Sequence, residues 1–396
     1  MASLRVRVYN VLFGDAILVT VPDRDPKTRK TTTRHILIDV GNVLSGGGGL
    51  DKVFQPAIDD IIAELKGKPL DLYVMTHEHL DHIQGLFHVS SRIYPDGEFE
   101  TKFAVRFAWL TGSAADDYFD THPEAKKKKK RFDAAYRRIS RYFAASPEKL
   151  AEPFRSFLLN NNPRDTSQCV AYLRQLAKRT TYVFRGVKLR GSHPFKEAKF
   201  RILAPEEDTS AYYGRFQPMA LGAADGVGHE DPITATTNDG ELPLPPAGVD
   251  AGAFYNLVDM RRRGMSDNLL AIDQAANNSS IVFTLEWRGW RLLFPGDAEI
   301  RSWQTMAKAN VLEPVHFLKV AHHGSHNGTP DGDILESILP MVPLDNRPRT
   351  AVISSCTKTY PGIPHGPTNR KLKARCTLHT TITRPAKPYI DLTFDD

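Results

Sequence analysis

The sequence predicts an α/β protein of layered sheets and helices. Short apolar runs of the kind that form buried strands recur along the chain, separated by turn residues. Residues 51–67 lie between two of these runs and carry apolar residues at helical spacing, an alternation that favours a layered architecture. With 41% hydrophobic and 25% charged residues, the 396-residue chain has a globular composition, which excludes collagen, a disulfide scaffold and wholesale disorder.

The first elements lead directly to a polar motif. Residues 4–40 predict strands joined by turns, one of them at Gly14-Asp15. Residues 51–67 predict a helix with Asp51 as its N-cap, because an aspartate at that position can accept hydrogen bonds from the free backbone N–H groups. Residues 70–75 then predict a buried strand.

The rest of the chain alternates between strand-like and other segments. Residues 90–185 predict a polar, helical segment. Residues 206–267 are rich in Gly, Pro, Asp and Thr without steady periodicity, which predicts a long loop or insertion that could contain short helices. Strands or hairpins are predicted at 187–205, at 280–294 around a turn at Arg288-Gly289, at 315–320 and at 351–354.

The strongest chemical signal is the motif His77-x-His79-x-Asp81-His82, directly after the predicted strand at 70–75. Four potential metal ligands fall within six residues, and a turn after a strand lets them converge. Imidazole and carboxylate ligands together suit zinc, manganese or iron better than calcium. One catalytic zinc ion uses three protein ligands and keeps an open position, so four ligands indicate two metal ions.

Further polar groups follow other apolar runs. Gly296-Asp297 places a carboxylate at a strand end, where it could bridge two metals. Six of the 14 histidines of the chain lie either in the first motif or in the stretch 319–326. The later candidates are, in chain order, Asp297, His322, His323 and the weaker His365, while His326 is interpreted as a neighbour and not a ligand.

These blocks resemble the metallo-β-lactamase fold superfamily and, more narrowly, the soluble hydrolase domain of ComEC-type competence proteins. The resemblance implies an αββα sandwich that forms a single domain over residues 1–396. It further implies insertions at about 90–185 (helical and basic) and 206–267 (loop-rich and Gly/Pro-rich), which match no family pattern. The blocks that carry the resemblance are 14–18, 37–41, 77–82, 277–282, 294–299, 319–325 and 352–365.

The resemblance also implies a role for each motif residue. His77 and His79 would hold one metal, Asp81 and His82 the other, and Asp297 would bridge the two. The implied cofactors are therefore two divalent ions, zinc or manganese.

Residues around the motif have implied roles as well. Asp39 would orient a ligand or the loop backbone. His322, His323 or His365 would complete the site as a ligand or contact the scissile phosphate, and the sequence does not decide among them. The family's further histidine for the first metal has no convincing counterpart, so Asn278 or a solvent molecule would take its place.

A basic segment lies in the predicted helical insertion. Residues 126–141 hold nine basic residues and one acid, a local charge of +8 in a chain whose formal net charge is +6. Phe132, Tyr136 and Ile139 at helical spacing favour an amphipathic helix, while the lysine run favours a surface that contacts a phosphate backbone. We predict nucleic-acid contacts at Lys126, Lys127, Lys128, Lys129, Lys130, Arg131, Arg137 and Arg138.

The expected reaction is metal-assisted hydrolysis. Asp81 or Asp297 would accept the proton of the attacking water, and His323 would stabilise the transition state or protonate the leaving oxygen. The expected protein is a cytoplasmic phosphodiesterase, most simply a nuclease. Its expected partner is nucleic acid, without a membrane, and the sequence does not decide whether it also binds a protein. The three separated cysteines form no CxxC and predict small core residues. The alternatives are a hydrolase of a cyclic nucleotide, small phosphodiester, lactone or thioester, and a metal-stabilised binding module.

Overall fold

The computed structural model describes residues 2–42, 49–143, 154–214, 245, 250–343, 345–356, 362–383 and 388–396, and within these ranges thirteen strands form two sheets. In spatial order, the first sheet contains β13 (Tyr389–Asp395), β1 (Ser3–Tyr9), β2 (Ala16–Arg24), β3 (Thr31–Val40), β4 (Leu70–Val74), β5 (Val105–Thr111) and β6 (Ala177–Val183). The second contains β12 (Thr377–Thr380), β11 (Thr350–Ile353), β10 (Phe317–Lys319), β9 (Trp290–Phe294), β8 (Val282–Trp287) and β7 (Lys199–Ala204).

Helices connect and flank the strands. The α-helices of the described residues are α1 (Leu50–Leu65), α2 (Leu80–His88), α3 (Glu98–Lys102), α4 (Tyr118–Thr121), α5 (Pro123–Phe143), α6 (Phe154–Asn160), α7 (Pro163–Leu176), α8 (Ala251–Asn278), α9 (Ile300–Lys308), α10 (Gly332–Ile338) and α11 (Gly366–Lys373). A π-helical turn over Val89–Ile93 extends α2, and 3₁₀ turns include Thr209–Tyr212 and His322–Gly324. No helix in the described ranges is both long and apolar enough to cross a membrane.

Three apolar cores hold the layers together. Residues of both sheets, including Val6, Ile36, Phe283 and Phe294, share one core, so the sheets pack against each other. A second core joins the first sheet to α1, α2 and α7. A third joins the second sheet to α9, α10 and α11. Together these contacts establish an α/β fold with two mixed sheets.

Strand direction decides where a site can form. Strands β3 to β6 run parallel to one another, and so do β9 to β12, while the remaining pairs are antiparallel. Carboxyl ends of parallel strands meet at one edge of a sheet, where open α/β sheets commonly bind ligands. The two sheets are tied at this edge, because the Ile281 N–H donates to the Thr76 carbonyl at 2.9 Å.

The predicted hairpin at 280–294 is confirmed as β8 and β9. Its turn has positive φ at both central residues, 46° at Arg288 and 84° at Gly289. Two left-handed residues in a two-residue loop match the twist of the flanking strands, and glycine adopts that conformation without steric cost.

Several predicted elements are wrong in type or extent. Residues 90–185 include two strands, β5 and β6, of which β6 is a mostly half-buried edge strand with no buried alternating face. Of residues 206–267, predicted as loop, 251–267 belong to α8, while 215–244 and 246–249 lie outside the described residues. Strand β7 covers only the end of 187–205. Helix α1 begins at Leu50 after Gly49, so Asp51 lies in the first turn and is not the N-cap.

Candidate metal centre

The histidine motif forms the connection between β4 and α2. His77 and His79 lie in the loop after the strand, and Asp81 and His82 lie in the first turn of the helix. All four are buried, with exposed fractions of 2% or less. Burial of four such polar side chains at one point is costly unless they bind one another or an ion.

The motif meets residues from the second sheet. Asp81, His82, Asp297 and His323 form a buried group whose ligand atoms all lie within 4.8 Å of one another. Asp297 Oδ2 lies 3.2 Å from His82 Nε2 and 3.4 Å from His323 Nε2. Asp81 Oδ2 lies 3.4 Å from His323 Nε2. The ends of β4, β9 and β10 therefore supply one four-membered donor set.

Outer hydrogen bonds orient two of these imidazoles. His82 Nδ1 contacts Asp39 Oδ2 at 2.8 Å, and His323 Nδ1 contacts the Ser354 carbonyl at 2.9 Å. A carbonyl only accepts, so His323 Nδ1 must donate, and in the neutral tautomer its Nε2 carries the lone pair. Asp39 also accepts from the Thr76 N–H at 2.8 Å and the Thr76 hydroxyl at 2.6 Å. Asp39 thus lies behind a ligand-type histidine, as predicted for a residue that orients the site.

A second group contains His77, His79 and Asp81, so Asp81 belongs to both groups. The tautomer of His79 follows from Asn161, whose amide nitrogen donates to the Phe157 carbonyl at 2.9 Å and to Asp273 Oδ1 at 3.1 Å. The amide oxygen therefore faces His79 Nε2 at 3.0 Å, and Nε2 must donate to it. His79 keeps its lone pair on Nδ1.

Neighbouring charges and burial shift the pKa values of several residues in these two groups. Burial would lower the pKa of His82, but Asp297, Asp81 and Asp39 outweigh burial and raise that pKa well above its usual value. Burial opposes ionisation of Asp297, yet His82 and His323 hold its pKa well below the usual value. Burial lowers the pKa of His77 strongly, and the neighbouring His82 and His79 lower it further. His77 is thus a neutral lone-pair donor, and a metal ion would displace a proton from His82.

Orphaned atoms test whether this donor set fits metal ions. Buried native polar atoms nearly always have hydrogen-bond partners. Among the described residues, His77 Nε2 and Asp81 Oδ1 are buried without one, and the Nε2 atoms of His82 and His323 face only carboxylates of the same donor set. Imidazole nitrogens and carboxylate oxygens are the donors that zinc and manganese take. The buried His/Asp groups can therefore hold metal ions.

The turn after β10 explains why the two adjacent histidines differ. His322 (φ 46°), His323 (φ 53°) and Gly324 (φ 78°) all have left-handed backbone. Such conformations cost about 1–3 kcal/mol at residues other than glycine. The turn directs His323 into the four-membered group, whereas His322 reaches the centre through its backbone N–H, which donates to Asp297 Oδ1 at 3.0 Å.

His322 belongs to a neighbouring cluster that the sequence did not reveal. Its Nδ1 lies 3.3 Å from Glu299 Oε1, and Asp273 completes this third group of possible ligands. The Asn277 amide nitrogen joins Asp273 Oδ2 at 3.0 Å to Glu299 Oε1 at 2.9 Å. Asp273 also lies 3.7 Å from His79 Nε2, so the cluster supports the centre from outside. Asn161 and Asp273 carry no sequence signal, while Asn277 and Glu299 lie in blocks that carry the resemblance.

Tight backbone packing supports the ligand loop. A Cβ on Gly41 would lie 2.2 Å from the backbone of Asp81 and of His82. The Asp15 N–H donates to the Asp81 carbonyl at 3.1 Å, and the Gly41 N–H donates to the Asp15 carbonyl at 3.0 Å. The Gly14-Asp15 turn and the end of β3 therefore fix the backbone position of Asp81 and His82.

Two predicted site residues have side-chain partners outside the donor groups, although the His365 N–H donates to the Gly324 carbonyl, next to His323, at 2.8 Å. His365 precedes α11, where its Nδ1 contacts Thr368 Oγ1 at 3.0 Å, and it belongs to none of the ligand groups found in the described ranges. Asn278 Oδ1 accepts from the Ser302 N–H at 2.9 Å, which caps α9. The structure brings neither side chain to the ligand groups.

The basic segment forms α5, an amphipathic helix. Phe132, Tyr136 and Ile139 are buried, as the amphipathic alternative predicted. Three lysines have partners within the chain, Lys126 with Asp120, Lys128 with Glu124 and the Ser210 carbonyl, and Lys129 with Asp133. The remaining predicted contacts, all exposed, are Lys127, Lys130, Arg131, Arg137 and Arg138.

No protein-family model matches this chain, and no curated protein matches it either. What the chain does must therefore be inferred from its own residues.

Proposed function

We propose that this chain is a metal-dependent phosphodiesterase, most simply a nuclease, with a metallo-β-lactamase-type sandwich and a dinuclear centre. The observation that carries the proposal is the pair of buried donor groups that share Asp81, together with the orphaned lone pairs within them. One cation would be held by His77 and His79, the other by Asp81, His82, Asp297 and His323. Zinc or manganese suits both donor sets.

The chemistry assigned to these residues is hydrolysis. Two divalent cations, when bound, lower the pKa of a bound water and offset the charge that develops on a phosphoryl group. The carboxylates of Asp81 and Asp297 can accept the proton of the attacking water. His322 is 16% exposed at its side chain, while His323 is fully buried. We therefore assign contact with the scissile phosphate to His322 and metal ligation to His323, in place of the catalytic role predicted for His323.

A parallel assay tests this function directly. Wild type and a His79→Ala/Asp81→Ala variant are purified identically and incubated, with Zn²⁺ or Mn²⁺, with single- and double-stranded DNA and RNA and with chromogenic phosphodiesters and esters. We expect metal-dependent cleavage of phosphodiesters by wild type alone. The proposal fails if wild type cuts nothing that the double variant leaves intact. Cleavage of esters without phosphodiesters would replace it with the small-molecule alternative.

The exposed face of α5 gives a second prediction. Charge reversal to Glu at Lys127, Lys130, Arg131, Arg137 and Arg138 should weaken nucleic-acid binding by at least about tenfold at low salt. The slope of log affinity against log salt concentration should also become smaller in magnitude, by about one for each phosphate that the helix no longer neutralises. The rate on a small chromogenic diester should stay unchanged, because these side chains lie on the exposed face of the helix.

A matched variant separates local from general charge effects. Lys66 and Lys68 are exposed and precede β4, at the end of that strand opposite the ligand loop. Lys66→Glu/Lys68→Glu should leave the affinity nearly unchanged. Equal reductions of binding free energy per reversed charge in the two variants, measured by fluorescence anisotropy across a salt series, would show that α5 is no specific contact surface.

A further inference from the structure

A pocket of about 750 Å³, including its open mouth, lies beside the metal centre. His79 and Glu78 of the ligand loop line one side of it, and Phe119, Phe132 and Tyr213 line another. The pocket therefore connects the ligand loop with the aromatic side of the helical segment.

The aromatic lining comes from separate elements. Phe119 lies on α4, Phe132 and Tyr136 on the buried face of α5, and Tyr213 just after the 3₁₀ turn Thr209–Tyr212. Ile272 of α8 adds an aliphatic wall. Phe132 and Tyr136 are therefore both buried residues of α5 and part of the pocket wall.

Polar side chains in the lining bind one another. Ser113 donates to Glu78 at 3.0 Å, and Lys129 donates to Asp133 at 3.0 Å. The Tyr136 hydroxyl donates to the Leu158 carbonyl at 2.6 Å. Because these polar groups already have partners within the protein, few remain to recognise a ligand by hydrogen bonding. Shape and aromatic contact remain as the main means of recognition.

We propose that this pocket receives one unpaired nucleobase of the substrate, whose phosphate lies at the metal centre. The inference rests on the proposed phosphodiesterase function. Every base has a flat π-face, so aromatic contact without polar readout binds bases with little sequence preference. His79 lines both the pocket and the metal centre, which places the base next to the reacting phosphate.

The proposal narrows the substrate class. A base in a duplex must leave its stack to enter such a pocket, which costs a few kcal/mol. Single strands, frayed ends and nucleotide-type diesters have no such cost. The preferred substrate is therefore an unpaired nucleotide unit, and intact duplex is disfavoured.

Binding to metal-free protein tests the pocket separately from hydrolysis. An oligonucleotide with one fluorescent 2-aminopurine is titrated, in the presence of a chelator, with wild type, Phe119→Ala and Phe119→Trp. We expect Phe119→Ala to bind about 5- to 150-fold more weakly, the range for loss of one base–aromatic stack, and Phe119→Trp to bind like wild type. Tyr94→Ala removes a half-buried aromatic outside the pocket and should not change the affinity.

Substrate variants provide a test that needs no mutant. Wild type should bind the single strand more tightly than the same sequence in a duplex, and an abasic residue at the bound position should weaken binding as Phe119→Ala does. Equal affinity for single strand, duplex and abasic strand would overturn the base pocket even if cleavage is found. Absence of cleavage for every diester, with base-dependent binding intact, would instead overturn the proposed reaction.

Discussion

We expect Asp297→Asn to lower phosphodiester hydrolysis by more than about 100-fold, because loss of even an outer-shell partner weakens a metal site 10- to 100-fold. Asp297 lies within 3.4 Å of both His82 Nε2 and His323 Nε2 and belongs to the four-membered donor group. The amide keeps the size of the side chain but removes the negative charge that attracts a cation. Elemental analysis of dialysed protein should show fewer ions per chain than in wild type.

Thermal or denaturant unfolding gives an independent measure of the same loss. A ligand at 100 times its dissociation constant adds about 2.7 kcal/mol to the free energy of unfolding. If binding weakens 100-fold, the same metal concentration adds only about 0.4 kcal/mol. Asp333→Asn, an exposed substitution on α10, is the control and should keep the full metal response. Wild-type metal content and activity in Asp297→Asn would refute the role of Asp297.

The donor group illustrates what sequence can predict about a site. His77, His79, Asp81 and His82 follow one buried strand within six residues, and Asp297 follows another. Because these strands belong to parallel arrays, their carboxyl ends meet, and residues at the ends of apolar runs come together. Which of His322 and His323 joins the donor group depends on a left-handed turn, and residue type alone does not reveal that turn.

Other parts of the molecule depend on packing that no local pattern encodes. Asn161 orients His79 and contacts Asp273, although these residues belong to distant segments. Strand β6 lies at the edge of its sheet and buries only Val183 fully, so its sequence lacks the apolar alternation of a strand with one buried face. The first half of helix α8 contains Gly252 and Gly264, residues that lower helix propensity.

A buried ion pair joins the two sheets behind the metal centre. Lys319, at the end of β10, lies 2.7 Å from Asp15 Oδ2, and both side chains are at most 2% exposed. The Ser354 hydroxyl donates to the other oxygen of Asp15, and the Ser354 carbonyl contacts His323. The Asp15 backbone in turn contacts Asp81. This ion pair therefore connects the positions of two predicted ligands.

We expect Lys319→Met to lower the free energy of unfolding by about 3–5 kcal/mol, because it leaves the Asp15 carboxylate buried without its cation. The double variant Asp15→Asn/Lys319→Met should recover much of this loss, since removing both charges also removes the unpaired one. Denaturant unfolding of metal-free protein measures both effects without a contribution from bound ions.

An exposed pair provides the matched control. Lys371 pairs with Asp331, and the two side chains are 44% and 66% exposed. Lys371→Met should therefore cost no more than about 1 kcal/mol, because water screens the pair and solvates the remaining charge.

If Lys319→Met costs as little as Lys371→Met, water must reach Asp15. The Asp15–Lys319 pair would then contribute little to the position of the ligand loop, and metal affinity in Lys319→Met should equal that of wild type. A large stability loss together with weakened metal binding would instead show that the centre depends on this buried pair.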